Sequence, residues 1–490
     1  MPLSIVLMRV WQWHETQSCL LTMNARLFIC ATLALTVASM NINAQTNAQT
    51  NAQAKAAVSV DLSAEKGAPR RIATGFLHGI SEDCLKPGPD YFDALKPANF
   101  RGANLGGFWI DGGMDKNLRM LKTYHDYLSP LGVTIDYILL DSWGFWYGHF
   151  FLNMPIRFPG DNGEWEDYEA FCETLATFVR DNKMDRFQYN LWNEPNLVKW
   201  NESQFWPRPR AQFCEMWRRG FQKITSVHPG AVISGPDFAT YSRERDWKED
   251  LGEFLDFCKE HNVVPHVLTL HALPGDPVEY KALADALLSD RGLAGVTIYI
   301  NEYATGDEQH PAAAAWYIAR LERAGVRGGR AIWQRPNTLE SAPIWNVSGE
   351  LNGLMYLDEH GLLSPTGAWW AYKRYADITG TLVSTESGAN GAVDAVAGVD
   401  RETRAARILL GASPTFPSGV VTLKIKGFNA APFLVKDGKV RAIIEKIPYH
   451  GGTLVAAPES TENEQPLSTD GEIVLEIKWE RDCAYAVTLQ

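Results

Sequence analysis

Two hydrophobic textures follow one another along this chain, and the change falls near Gly380. Before it, short apolar runs bounded by Gly, Pro, Asn and Asp alternate with longer stretches whose apolar residues recur every three or four positions. The first pattern reads as buried strand and the second as amphipathic helix. In 116–128, for example, Leu118, Leu121, Tyr124 and Leu128 form one helical stripe. The predicted strands are 74–80, 100–105, 133–140, 187–192, 231–235, 267–270, 296–300 and 330–333. The predicted helices are 91–95, 116–128, 165–182, 210–227, 247–258, 278–288, 311–324 and 366–379. Eight strand–helix pairs in this order predict an α/β fold, a (β/α)8 TIM barrel over 70–380.

After Gly380 the runs are short, mixed or alternating, and separated by Gly and Pro: 392–399, 405–411, 420–426, 432–436, 443–447, 472–478 and 483–489. They predict an accessory C-terminal β-sandwich over 381–490. The alternating Val58-Ser-Val-Asp-Leu62 has no place in the barrel. It predicts a strand over 58–66 that joins the sandwich.

The N-terminal stretch changes the picture of where the protein works. From Met23, one Arg precedes an apolar run of about a dozen residues, the form of a secretory signal and too short for a membrane span. The expectation is a signal over 23–44, cleaved near Ala44 or alternatively Ala54, and a secreted or periplasmic protein. Residues 1–22 are then expected to be untranslated or unstructured. The Thr-Asn-Ala-Gln repeats have no apolar face, so 45–57 is expected to be a disordered spacer.

The net charge is −12, which disfavours nucleic acid and anionic membranes as partners. Beyond residue 44 the cysteines are Cys84, Cys172, Cys214, Cys258 and Cys483, with no CxxC and no metal-ligand spacing. Buried thiols are expected for the three on predicted helices, the odd count leaves room for one unassigned bridge, and no metal and no organic cofactor are expected. The 17 Trp residues exceed ordinary usage. Large cores consume some of them, and sugar clefts use flat aromatic faces.

Candidate chemistry lies at two strand ends. The run 187–192 leads into Asn193-Glu194-Pro195, and 296–300 leads into Asn301-Glu302-Tyr303. These are barrel strands four and seven, whose C-terminal ends face each other across the mouth where barrel enzymes do their chemistry. Two carboxyl groups flanking one bond suit glycoside hydrolysis. A general acid must carry its proton into the encounter with substrate, and Glu194 is expected in that role. Glu302 is expected to be the ionised nucleophile, and Asn193 a donor to the sugar 2-hydroxyl. A solitary glutamate is usually a solvated surface charge; a pair at these two strand ends is not.

The residues Asn193-Glu194-Pro195, Leu270-His271-Ala272, Asn301-Glu302 and Trp333, with the Val-Asp-Leu strand and the C-terminal sandwich, carry a resemblance. Over roughly residues 56–490 the chain resembles the retaining glycoside hydrolases of clan A, most of all glycoside hydrolase family 39, the β-xylosidase and α-L-iduronidase family. The resemblance implies acid/base Glu194, nucleophile Glu302 and an oligo- or polysaccharide substrate.

For the other strand-end residues the alternative is a plain packing role. His271 ends strand six and is expected to touch substrate or nucleophile. Trp333 ends strand eight and is expected to stack on the sugar. His78, Asn104 and Asp141 end strands one, two and three, balanced between sugar binding and loop capping. Among the loop aromatics Trp143, Trp146, Tyr147, Trp200 and Trp345, some are expected to line the cleft, Trp146 first. Arg335 is expected to pair with an acidic loop. Two rival readings stand beside an exo-acting β-xylosidase-like enzyme: an endo-glycanase of another clan A family, and a catalytically silent carbohydrate-binding barrel. The loops leave sugar, linkage and oligomeric state open.

Overall fold

The computed structural model describes residues 54–102, 107–108, 112–145, 155–197, 205–241, 246–331, 349–351 and 353–490. The signal-like stretch and the expected site residues Asn104, Trp146 and Trp333 lie outside these residues, as do Tyr147, Trp200, Trp345 and Arg335. The first strand, β1, spans Ala54–Gly67. Eight parallel strands then close into a barrel in chain order. They are β2 (Gly75–Leu77), β3 (Asn99–Gly102), β4 (Thr134–Ile138), β5 (Phe187–Asn190), β6 (Val232–Ala239), β7 (Val267–Ala272), β8 (Thr297–Tyr303) and β9 (Arg327–Arg330). Helices wrap them, among them Gly113–Leu128, Glu166–Asp181, Arg210–Val227, Trp247–Glu260, Pro277–Ser289, Pro311–Ala324 and Gly367–Asp377.

Three barrel elements depart from the sequence reading. β4 stops at Ile138, and Leu139–Trp143 form one helical turn ended by Gly144 at φ 115°, a conformation glycine adopts without strain. Asp141 therefore sits on that turn and not at a strand end. β6 runs past the Gly235-Pro236 pair, which reads as a stop, to Ala239. β9 lies at Arg327–Arg330, earlier than 330–333, because Gly328 and Gly329 look like a turn but serve close packing. A Cβ on Gly328 would lie 2.3 Å from Leu321 Cδ1, and one on Gly329 2.7 Å from the Asn301 carbonyl oxygen. Elsewhere the ends shift by a few residues, and the helix read at 91–95 starts as Pro89–Phe92 and tightens into a 3-10 turn, Asp93–Leu95.

A short hairpin, β10 (Met355–Leu357) and β11 (Leu363–Pro365), follows the barrel. Then come β12 (Thr381–Glu386), β13 (Val393–Asp400), β14 (Ala405–Ala412), β15 (Gly419–Lys426), β16 (Lys439–Ile447), β17 (Glu459–Pro466), β18 (Ile473–Trp479) and β19 (Ala484–Leu489). With β1 they form one nine-strand sheet in the order β17-β16-β19-β14-β13-β12-β1-β15-β18. Only the β1/β15 pair is parallel. The sheet curls over its own apolar core into a sandwich, and its edge strands β17 and β18 approach each other.

Three readings of this region are corrected. Residues 54–57, expected as spacer, are hydrogen-bonded to β15 from Ala54↔Gly419 onward. Residues 432–436 are not a strand: Pro432–Leu434 make a 3-10 turn, consistent with a proline that has no N–H for a ladder. β17 escaped notice because its residues are polar and exposed; Lys439–Glu464 and Arg441–Glu462 pairs cross to it from β16. All five described cysteines are buried and free.

The helix Pro311–Ala324 joins the two parts. Its residues Pro311 to Leu321 are all buried, as expected of a helix covered on every side. Four consecutive alanines let the sandwich come close: a Cβ on Gly411 of β14 would stand 1.9 Å from the Trp316 backbone nitrogen. Polar pins fix the contact. Arg320 and Arg323 both reach the fully buried Asp394, at 3.1 and 2.5 Å, and Trp316 Nε1 donates to the Gly391 carbonyl.

Candidate active site

Inside the barrel, the polar residues of neighbouring strands meet one another. Asn190 of β5 donates through Nδ2 to Asp136 of β4 at 3.1 Å and to Asp237 of β6 at 3.0 Å. Asn301 of β8 donates to the same two carboxylates at 3.3 and 2.8 Å. Ser234 donates to Asp136 at 2.5 Å. Above this layer stand the two glutamates, and two bulges bring their partners into place.

The register of β6 on β7 pairs Pro236 with Thr269 and Phe238 with Leu270, leaving Asp237 as the extra residue. The register of β7 on β8 pairs Leu270 with Ile300 and His271 with Glu302, leaving Asn301 extra. A regular strand would send Asn301 and Glu302 to opposite faces. The bulge re-aims one of them, and both side chains serve the same cluster. Asp237 has φ 57° and Glu194 φ 41°, left-handed conformations that side chains other than glycine adopt at a cost.

Arg101, at the end of β3, binds this cluster together. Its Nη1 donates to Glu302 Oε1 at 2.5 Å, and its Nη2 to Asn193 Oδ1 at 2.7 Å and Asp237 Oδ2 at 2.5 Å. Asp136 lies 3.5 Å from its Nε. Burial opposes a charge on Arg101, but Asp237, Glu302 and Asp136 outweigh it and hold the guanidinium ionised. Glu194 Oε1 accepts from the Tyr241 hydroxyl at 2.7 Å and lies 2.7 Å from His271 Nδ1. His271 Nδ1 is also 3.6 Å from Glu302 Oε2, and its Nε2 is 3.8 Å from Asp237 Oδ2. One donor atom each of Glu194, His271 and Glu302 lie within 4.8 Å of one another.

The charges follow from these neighbours. Burial lowers the His271 pKa, but Glu302 and Glu194 override it and lift it to about 10. At neutral pH it is an imidazolium, and Nδ1 donates to Glu194. Burial pushes Glu302 above the ordinary carboxylate range, helped by Glu194 and Asp237 and opposed by His271 and Arg101. Asp136 is raised by burial and by the charge of Asp237. Burial would raise Asp237 too, but Arg101 and His271 hold it well below the usual range. Burial and then Glu194 raise the Tyr241 phenol, which keeps its proton. By residue type, Glu194, His271 and Glu302 could ligate a metal ion, but Arg101 and the imidazolium already supply positive charge there.

The structure brings together Glu194, Glu302, Asn193 and His271. His271 is fully buried, with Nδ1 2.7 Å from Glu194 Oε1 and 3.6 Å from Glu302 Oε2. Asn193 turns its Oδ1 to Arg101, which leaves Nδ2 as its donor. His78 and Asp141 are both buried, with His78 Nε2 3.9 Å from Asp141 Oδ2. Burial, then the Arg101 charge, lowers the His78 pKa to about 3, so its ring is neutral. Trp143 is buried and packed against Phe108, Tyr168 and Phe171.

Sequence reasoning missed Arg101, Asp136, Asp237 and Tyr241. The first two had a signal: a lone charge inside an apolar strand is expensive unless it is paired. Asp237 was hidden by the preceding Gly-Pro, and Tyr241 by lying in a loop.

No protein-family model matches the chain. The 3-O-alpha-D-galactosyl-alpha-L-arabinofuranosidase of Bifidobacterium longum subsp. longum is 25% identical over 296 residues, 54% of this chain and 24% of that protein. The chain thus spans about a quarter of that relative's length. Among solved structures, a protein from Neocallimastix frontalis superposes with a TM-score of 0.67 at 23% identity, covering 89% of this chain and 100% of that one. A glycoside hydrolase family 39 enzyme from Xanthomonas axonopodis pv. citri gives 0.59 at 14% identity, covering 90% and 99%. A monomeric β-xylosidase from Caulobacter crescentus gives 0.56 at 16% identity, covering 89% and 99%. The chain shares with them the fold, a TIM barrel carrying a β-sandwich.

Proposed function

We propose that this protein is a retaining glycoside hydrolase that works through a covalent glycosyl-enzyme intermediate. The observation that carries the reading is the pair Glu194 and Glu302, with donor oxygens within 4.8 Å across the barrel mouth. Retaining enzymes hold their two carboxyl groups about 5–5.5 Å apart, and inverting ones about 6.5–9.5 Å, to leave room for a water.

The roles follow from the partners. Arg101 donates to Glu302 Oε1 at 2.5 Å and His271 Nδ1 lies 3.6 Å from its Oε2, two cations that support an ionised nucleophile against its burial. Glu302 attacks the anomeric carbon as the bond to the leaving oxygen breaks. Glu194 gives that oxygen a proton. Oε1 of Glu194 already faces the Tyr241 hydroxyl and His271 Nδ1, which leaves Oε2 as the oxygen turned to the leaving group. As the proton leaves, both donors stabilise the carboxylate that forms, a preorganised response to developing charge. Glu194 then takes a proton from water, which hydrolyses the intermediate at the same carbon. Asn193 Nδ2 supports this reading as the donor to the sugar 2-hydroxyl.

The names of the similar proteins, β-xylosidase and arabinofuranosidase, put xylosides and arabinosides first in a substrate panel. Export to the periplasm or medium belongs to the proposal, and cell fractionation tests it.

The decisive experiment uses Glu194→Ala and Glu302→Ala on aryl glycosides. Loss of a general acid costs about 10²–10⁴-fold. Azide should restore turnover in Glu194→Ala and yield the glycosyl azide of retained configuration. Wild-type rates in either variant, or an NMR time course showing inversion, would overturn the assignment.

A further inference from the structure

We infer that Asp237 is a positioning residue that holds both catalytic glutamates, and the His271 ring between them, in one frame. This rests on the reading of Glu194 and Glu302 given above. Asp237 touches the frame of each glutamate by a separate route. Its backbone carbonyl accepts the Glu194 N–H at 3.2 Å. Its Oδ2 accepts from Arg101 at 2.5 Å, and Arg101 in turn donates to Glu302 at 2.5 Å. Its Oδ1 accepts from Asn301, the residue before Glu302, at 2.8 Å. On the other side, its Oδ2 is 3.8 Å from His271 Nε2, while His271 Nδ1 holds Glu194.

Asp237 is itself held rigidly. It is the extra residue of the β6 bulge, it is fully buried, and Thr269 closes a ring on it. The Asp237 N–H donates to Thr269 Oγ1 at 3.1 Å, and the same hydroxyl donates back to Asp237 Oδ1. The acceptor pattern explains why the residue is a carboxylate. Donors from Asn190, Asn301 and Thr269 converge on Oδ1, and Arg101 donates to Oδ2. An asparagine must turn its NH2 toward donors on one side or the other.

The ionisable groups around Asp237 come from several elements: Arg101 on β3, Asp136 on β4, Glu194 after β5, His271 on β7, and Tyr299 and Glu302 on β8. Removing the Asp237 charge still leaves Asp136 beside Arg101, 3.5 Å away. It leaves no such carboxylate beside His271 Nε2 among the described contacts.

The test is an NMR titration of isotope-labelled histidine in the full chain, wild type against Asp237→Asn, together with kcat and KM. The His271 midpoint should fall by about one unit or more, the ordinary effect of losing an opposite charge at this range. On a glycoside that the wild type cleaves, kcat should fall by about 10²-fold while KM stays near wild type, because the glutamates lose their alignment. A His271 midpoint unchanged from wild type, or an unchanged kcat, overturns the inference. If Asp237→Asn does not fold, Thr269→Val and Thr269→Ser decide. Valine should lower kcat at constant KM, and serine, which keeps the hydroxyl, should restore it; equal behaviour of the two overturns the inference. The titration needs no substrate, so a protein that cleaves no glycoside would sink the functional reading and leave this test intact.

Discussion

His271 and Glu194 meet at 2.7 Å, Nδ1 to Oε1, although one lies on β7, the other in the loop after β5, and they stand 77 residues apart. The imidazole also lies 3.6 Å from Glu302, so one buried cation serves both carboxylates. This contact and its neighbours lead to four predictions.

Tyr241→Phe removes the second donor to Glu194 Oε1 and leaves the ring. A hydrogen bond to a charged group contributes about 1.5–3 kcal/mol. The variant should lose roughly 10–100-fold in kcat on glycosides with poor leaving groups. The loss should shrink on activated aryl glycosides, where proton donation matters less. A uniform loss across leaving groups would argue against a role at the acid.

Arg101→Met strands a buried cluster of acids. Its guanidinium is almost wholly buried and bonded to Asp237, Glu302 and Asn193. Breaking a buried pair costs about 3–5 kcal/mol, so thermal denaturation should show a large drop. Arg101→Lys should recover only part, since one ammonium lacks the planar fork that reaches separate partners. Full recovery with lysine would mean that charge alone matters.

Stability should peak near pH 6.5 as far as two buried histidines decide it. The folded pKa of His271 is raised from 6.5 to about 10, so its contribution is whole below 6.5 and is lost as pH rises toward 10. That of His78 is lowered from 6.5 to about 3; the unfolded chain takes up its proton first, and stability is lost as pH falls from 6.5 toward 3. Melting temperatures across this range measure it. His271→Gln should flatten the alkaline limb and His78→Gln the acid limb.

Gly411→Ala tests the join between barrel and sandwich. The new methyl would sit 1.9 Å from the Trp316 backbone nitrogen, an atom no side-chain rotation can move. Overpacking costs about 1–3 kcal/mol, and the melting temperature should fall. Gly295→Ala, where nothing lies within 4 Å and the backbone is not left-handed, controls for the loss of backbone freedom alone.

The barrel was legible in the sequence because its strands are buried on both sides and its helices on one, and these two burial patterns have different periods. The helix Arg210–Val227 was located to the residue for that reason, and Pro311–Ala324, buried on every side, by the proline in its first turn. Local chemistry also announced Glu194 and Glu302, since each is a carboxylate set at the end of an apolar run. β17 was invisible because backbone pairing holds it and no apolar stripe marks it.

What the chain alone determined was the repeat, the order of the strands and the two glutamates at strands four and seven. Only the tertiary structure decided what surrounds them. A bulge shifts every later side chain by one face, and nothing in the local pattern marked the bulges at Asp237 and Asn301. Barrel closure then set Arg101 against Glu302, 201 residues away, and Asp237 against Arg101, 136 residues away. Hydrogen bonds and charges act over a few ångströms, so partners this distant in sequence become legible only once the fold has brought them together.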